Sequence, residues 1–75
     1  MREDSMVGTS AALGAALRGE RRRQGLTIED LALRCDVGPR AIGELERGKP
    51  TTQVAVLLKI VSGLRMTLAV TPDDD

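Results

Sequence analysis

Side-chain catalysis needs an activated nucleophile, paired carboxylates, metal ligands or a phosphate-cradling glycine loop, and this sequence is poor in all of them. It has no histidine and one cysteine, Cys35. With no imidazole to activate it and at a helical core spacing, Cys35 is expected to be a small buried hydrophobe. The same counts exclude a zinc cluster and an internal disulfide, and fit a reducing, cytoplasmic location. No cofactor, metal or small-molecule substrate is implied, and the chain does not read as an enzyme. What it does carry is cationic chemistry. Between residues 18 and 65 stand ten bases (Arg18, Arg21, Arg22, Arg23, Arg34, Arg40, Arg47, Lys49, Lys59, Arg65) against six acids, a local surplus of +4 inside a chain of net charge zero. That surplus suits phosphate contacts without making the protein strongly basic. Aromatic residues are absent, which argues against base-stacking recognition of RNA or single strands.

The elements that must position these charges read as short helices. Thr9 or Ser10 offers an N-cap, and Ala12, Leu13, Ala16 and Leu17 form a narrow apolar stripe that continues in charged residues to Gln24 and closes at Gly25. Gly14 and Gly19 each weaken this helix by about 1 kcal/mol relative to Ala. Arg21, Arg22 and Arg23 are consecutive and so point in three directions. Thr27 then precedes Ile28, Leu31, Ala32 and Cys35 at helical spacing. Asp36, Val37 and Gly38 break the period, Pro39 opens a second short helix, Ile42 and Leu45 recur in it, and Gly48 stops it.

After Lys49 and Pro50, Thr51 or Thr52 can cap a further helix whose exposed N–H groups favour a phosphate, making Lys49, Thr51, Thr52 and Gln53 candidate phosphate-backbone contacts. Val54, Leu57, Leu58, Val61 and Leu64, widened by Ile60, give that helix a face broad enough to suggest burial on more than one side. Met66, Leu68 and Val70 alternate with Thr67, Ala69 and Thr71 before Pro72, a period of two that predicts a strand. A lone strand is most economically paired with its own copy across a two-fold axis; the other reading is that it packs on its own bundle. The first nine residues show no periodicity, are polar and acidic rather than signal-like, and read as a mobile arm. No segment has the length and apolarity of a membrane span.

The stretch Gly25 to Lys49 resembles the Cro/C1-type (XRE) helix-turn-helix family. The residues that carry the resemblance are Gly25-Leu26-Thr27, Leu31-Ala32, Val37, Ile42, Leu45 and Glu46-Arg47-Gly48-Lys49. It implies a mainly α fold: a four-helix lambda-repressor-like domain over 10–64, flanked by the arm 1–9, a C-terminal β-strand over 65–71 pairing across a homodimer, and an acidic tail, 72–75. It also implies that the second helix of the motif enters the major groove and that its base-reading positions fall on Pro39, Arg40, Gly43 and Glu44. Pro39 and Gly43 have no side-chain donors. Arg40 is therefore the chief candidate for a bidentate contact to guanine, worth about 1–3 kcal/mol of discrimination. Glu44 either accepts from a cytosine amine or pairs with Arg40, four residues away. Ile28 stands where the family most often has Gln, Asp36 where it has Gly, and Gly38 where it has a Ser or Thr cap. By the same resemblance Arg21 and Glu46 form a structural ion pair, the other reading of Arg21 being a DNA contact. Thr27, Arg18 and Arg22 join the backbone contacts, although Arg18, Arg22 and Arg23 read equally as a solvated face.

The ending, a helix over Val54 to Leu64 followed by Leu64-Arg65-Met66-Thr67-Leu68, is similar to that of HipB-type antitoxins, in which the C-terminal strands of two subunits pair. This resemblance implies dimerisation through Met66, Leu68 and Val70, a palindromic double-stranded operator with half-sites about 34 Å apart or a multiple of it, and a HipA-like kinase toxin as partner. Leu33 and Asp73 to Asp75 are then either contacts to that partner or plain solvated surface. A stand-alone regulator without a toxin, and a protein-interaction module that does not bind DNA, are the alternatives.

Overall fold

The computed structural model describes residues 9–73. Four helices follow in order: α1 (Ser10–Arg23), α2 (Ile28–Cys35), α3 (Pro39–Glu46) and α4 (Val54–Gly63). Local chemistry sets most of their boundaries. Thr9 caps α1 by accepting from the Ala12 N–H. Thr27 and Asp30 close a reciprocal capping box on α2, each side chain bonded to the other's backbone N–H. Asp36 ends α2 in the left-handed conformation, φ 57°, where a short polar side chain is tolerated. Pro39 occupies the first turn of α3, where its missing N–H costs nothing.

The apolar stripes meet in one core: Leu17 of α1, Leu31, Ala32 and Cys35 of α2, Ile42 and Leu45 of α3, and Ile60, Val61 and Leu64 at the end of α4. Leu13, Leu26, Ile28, Val37, Val56, Leu57 and Met66 pack on its rim. α3 lies against both α1 and α2, and α4 against α2. Gly14 has a reason to sit inside α1 despite its low helix propensity: a methyl there would collide with the carbonyls of Leu45 and Glu46, so it is the absence of a side chain that lets α1 lie on the end of α3.

Three expectations need correction. No strand is formed among the described residues; from Met66 to Asp73 the chain is neither helical nor laddered. A strand is defined by its partner's hydrogen bonds, and the described residues form no second strand to pair with. Met66 tucks against the core, whereas Leu68 and Val70 are 42% and 94% exposed. Second, neither Thr51 nor Thr52 caps α4. Both come too early, and the N-cap falls on Gln53, which makes no side-chain cap bond. Third, the burial on more than one side suggested for α4 is incomplete among the described residues: Ile60 and Val61 are buried, but Val54 and Leu58 are 67% and 50% exposed. The expected arm lies, apart from Thr9, outside the described residues, as do Asp74 and Asp75 of the acidic tail.

Candidate nucleic-acid interface

The position of α3 depends on a charge that is not free to touch a ligand. Arg21, turned inward from α1, donates from Nε to Glu46 Oε2 at 2.6 Å and from Nη2 to Oε1 at 3.0 Å. Its Nη1 donates to the Leu26 carbonyl at 2.7 Å. The two side chains are only 10% and 6% exposed. This fork-to-fork geometry ties α1 both to the last turn of α3 and to the loop entering α2. The Glu46 carboxylate holds the Arg21 guanidinium more firmly protonated than an ordinary arginine, against the opposing effect of burial. Arg21 is thus spent on structure. Its neighbours in the basic run have other surroundings: Arg22 is exposed, and Arg23 pairs with Glu20 on the surface of α1.

The outward surface of α3 is built around Arg40, whose side chain is 89% exposed. Glu44, one turn on, accepts from Arg40 Nε at 3.0 Å, and the Lys49 ammonium stands 3.6 Å from the same carboxylate oxygen. The Arg40 hydrogen bond, then the Lys49 charge, hold Glu44 below the usual carboxylate range, so it is ionised at neutral pH. Lys49 is placed by the way α3 ends. Gly48 takes φ 84°, its N–H bonds to the Leu45 carbonyl, and the Lys49 N–H bonds to the Glu44 carbonyl at 3.0 Å, the paired bonds of a Schellman turn. Arg40, Glu44 and Lys49 are therefore brought together by one helix and its cap.

The other expected positions are distributed differently. Pro39 is exposed at the start of α3, whereas Gly43 is buried. A Cβ at Gly43 would stand 3.3 Å from Arg47 Nη1, so the Arg47 side chain lies over the place where a reader would project. Arg47 is exposed and falls seven residues after Arg40, on the same face of the helix. In the sequence it stands out only as one of the ten bases and within the family's closing motif, although that spacing is there to be read. The N–H groups opening α3 and α4 have no side-chain cap, because Gly38 and Gln53 stand at the N-cap positions. Thr51 and Gln53 are exposed and Thr52 is half-buried beside the start of α4. Thr27 is exposed, but its backbone N–H is taken by Asp30 and its hydroxyl oxygen accepts from the Asp30 N–H. Ile28 packs on the core rim. Arg18 and Arg22 lie one turn apart on the exposed side of α1. Met66, Leu68 and Val70 have no strand partner among the described residues. No group of side chains there can hold a metal ion, and no helix is long and apolar enough to cross a membrane.

Two short helices joined by a left-handed turn, the second presenting a cationic outer surface and fixed by a buried ion pair, define a helix-turn-helix domain of the kind found in DNA-binding transcriptional regulators. Residues 17–70 match the family model described as Helix-turn-helix. The chain is also 40% identical over 58 residues to an uncharacterized HTH-type transcriptional regulator, y4mF, of Sinorhizobium fredii, a match that spans 77% of this chain and 76% of that protein. The chain belongs to the Cro/C1-type (XRE) helix-turn-helix family.

Proposed function

We propose that the protein is a sequence-specific double-stranded DNA-binding repressor that works as a homodimer. The observation that carries this reading is the outward guanidinium of Arg40 on the first turn of α3, flanked by Lys49. Each subunit lays the N-terminal half of α3 in the major groove, and Arg40 reads a guanine there. Lys49, Thr51, Thr52 and Gln53, together with the uncapped N–H groups of α4, take adjacent phosphates. Thr27, Arg18 and Arg22 extend the backbone contacts. With one strong reader per half-site, sequence-dependent DNA shape supplies part of the specificity. The printed description of the Sinorhizobium relative as a transcriptional regulator agrees with this role.

The dimer forms through residues 65–71. Leu68 and Val70 are exposed in the single chain, and strand pairing with a second copy gives their backbone groups a ladder and their side chains a neighbour. The finer reading is an antitoxin of a HipBA-like type II toxin–antitoxin system that represses its own operon and binds a HipA-like kinase toxin. Its support is the resemblance of the ending after α4 to HipB-type chains. Copurification from native cells separates this from a stand-alone regulator: a kinase held stoichiometrically supports the antitoxin role, and a protein recovered alone refutes it.

DNA binding is tested by titrating the protein against its own promoter DNA at several salt concentrations. The expected result is a specific complex whose affinity falls steeply with salt, with a logarithmic slope of about −0.9 for each phosphate neutralised. A flat salt response, with equal affinity for unrelated DNA, refutes it and favours a protein-interaction module.

A further inference from the structure

We propose that Glu44 is the positioning residue for the base-reading Arg40 rather than a base reader itself, and that Lys49 completes the arrangement; this rests on the assignment of Arg40 made above. The geometry places one carboxylate oxygen between two cations. Glu44 Oε2 accepts from Arg40 Nε at 3.0 Å and lies 3.6 Å from Lys49 Nζ. The Lys49 main chain is bonded to the Glu44 carbonyl at 3.0 Å, so the ammonium is anchored to the helix it neutralises. The Glu44 side chain is only 24% exposed, whereas that of Arg40 is 89% exposed. A partly covered, twice-engaged carboxylate therefore holds the base of a guanidinium whose far end is in solvent.

The consequence follows from the shape of arginine. Its guanidinium is a planar fork of five N–H donors. With Nε–H committed to Glu44, Nη1 and Nη2 remain without a hydrogen-bond partner among the described residues. These are the paired, parallel donors that guanine O6 and N7 accept. An exposed arginine otherwise loses the freedom of a long side chain when it docks, and a rotamer already held on the protein loses less. Lys49 serves the same end electrostatically: its charge offsets that of Glu44, so the carboxylate does not repel the phosphates flanking the groove. Glu44 is poorly placed to read a cytosine amine, because its Oε2 already serves both Arg40 and Lys49.

The test is selection and sequencing of duplexes from a random-sequence DNA library, using the full chain as wild type, Arg40→Ala, Glu44→Ala and Glu44→Gln, each checked for an unchanged thermal melt. The wild type is expected to enrich guanine at one position per half-site, and Arg40→Ala to erase that preference. Glu44→Ala is expected to weaken the preference at that same position by about 2- to 10-fold, the span associated with ordering one long side chain, and to leave the other positions alone. Glu44→Gln keeps an oxygen that accepts from Nε and is expected to recover most of it. If Glu44→Ala instead abolishes a preference at a different position, Glu44 reads a base directly and the positioning role is refuted. If it leaves the guanine preference unchanged or sharpens it, the pair is inert or masks Arg40, and the proposal is again overturned. If Arg40→Ala leaves the wild-type pattern intact, the base-reader assignment itself fails and takes this inference with it.

Discussion

Replacing Glu46 by Ala should cost this protein far more than the loss of a surface charge. In the wild type both carboxylate oxygens receive charge-assisted hydrogen bonds from Arg21, at 2.6 and 3.0 Å, and the two side chains are 10% and 6% exposed. Glu46→Ala leaves a buried guanidinium with only the Leu26 carbonyl as partner. Stranding a buried charge in this way costs about 3–5 kcal/mol. A 75-residue domain holds about 4–11 kcal/mol in all at typical stability per residue. The variant should therefore lie close to the edge of folding, with a melting temperature at least about 12 °C lower. Urea unfolding followed by circular dichroism at several temperatures measures the loss. The double replacement Arg21→Met with Glu46→Leu removes both charges and should recover most of the stability, leaving about 1 kcal/mol for the Leu26 carbonyl that loses its donor. A Glu46→Ala loss below about 1 kcal/mol, the value of an exposed pair, would mean that water reaches the charges and that the pair is not buried in solution.

Other perturbations test other parts of the packing. Gly14→Ala should destabilise by about 1–3 kcal/mol in denaturant melts, since the methyl meets the Leu45 and Glu46 carbonyls, despite the higher helix propensity of Ala. Gly19→Ala should stabilise by about 0.5–1 kcal/mol, since its methyl meets nothing within 4 Å. Arg65 adopts φ 59° at the end of α4, so Arg65→Gly should gain about 0.5–1 kcal/mol after the extra unfolded-state entropy of glycine is subtracted. Hydrogen bonds from Arg23, then Gln24, hold Glu20 down at about 2 from an ordinary 4.5. Because its folded value is depressed, its contribution is complete above pH 4.5 and is lost as pH falls towards 2, so Glu20→Gln should flatten the acid limb of a stability–pH curve over that window.

The helix-turn-helix itself was legible because its boundaries are written in residues with local effects. Thr9 and Thr27 mark starts, Asp36 and Gly48 tolerate positive φ, and the stripes of α1 to α3 fall on the observed core. The inward turn of Arg21 among three consecutive arginines was visible only through the family's closing Glu-Arg-Gly. Three features were not legible, and each depends on something non-local. The period-two tail announces a strand, but a strand also needs a partner, and none is formed among the described residues. The start of α4 is displaced past both threonines, because the turn after α3 runs on through Pro50 and Thr51. Gly43, which the family resemblance put at a reading position, is overlain by Arg47, an outcome set by the path of a long side chain across the gap a glycine leaves.

Whether α3 and the turn following it form the DNA-contacting surface is decided by mapping backbone amide shifts of the isotope-labelled protein as a duplex selected by the wild type is titrated in. The largest changes are expected over residues 39–53, spanning α3, Lys49 and the entry to α4, with smaller ones at the exposed side of α1 near Arg18 and Arg22. Shifts concentrated elsewhere, with residues 39–53 undisturbed, would contradict it.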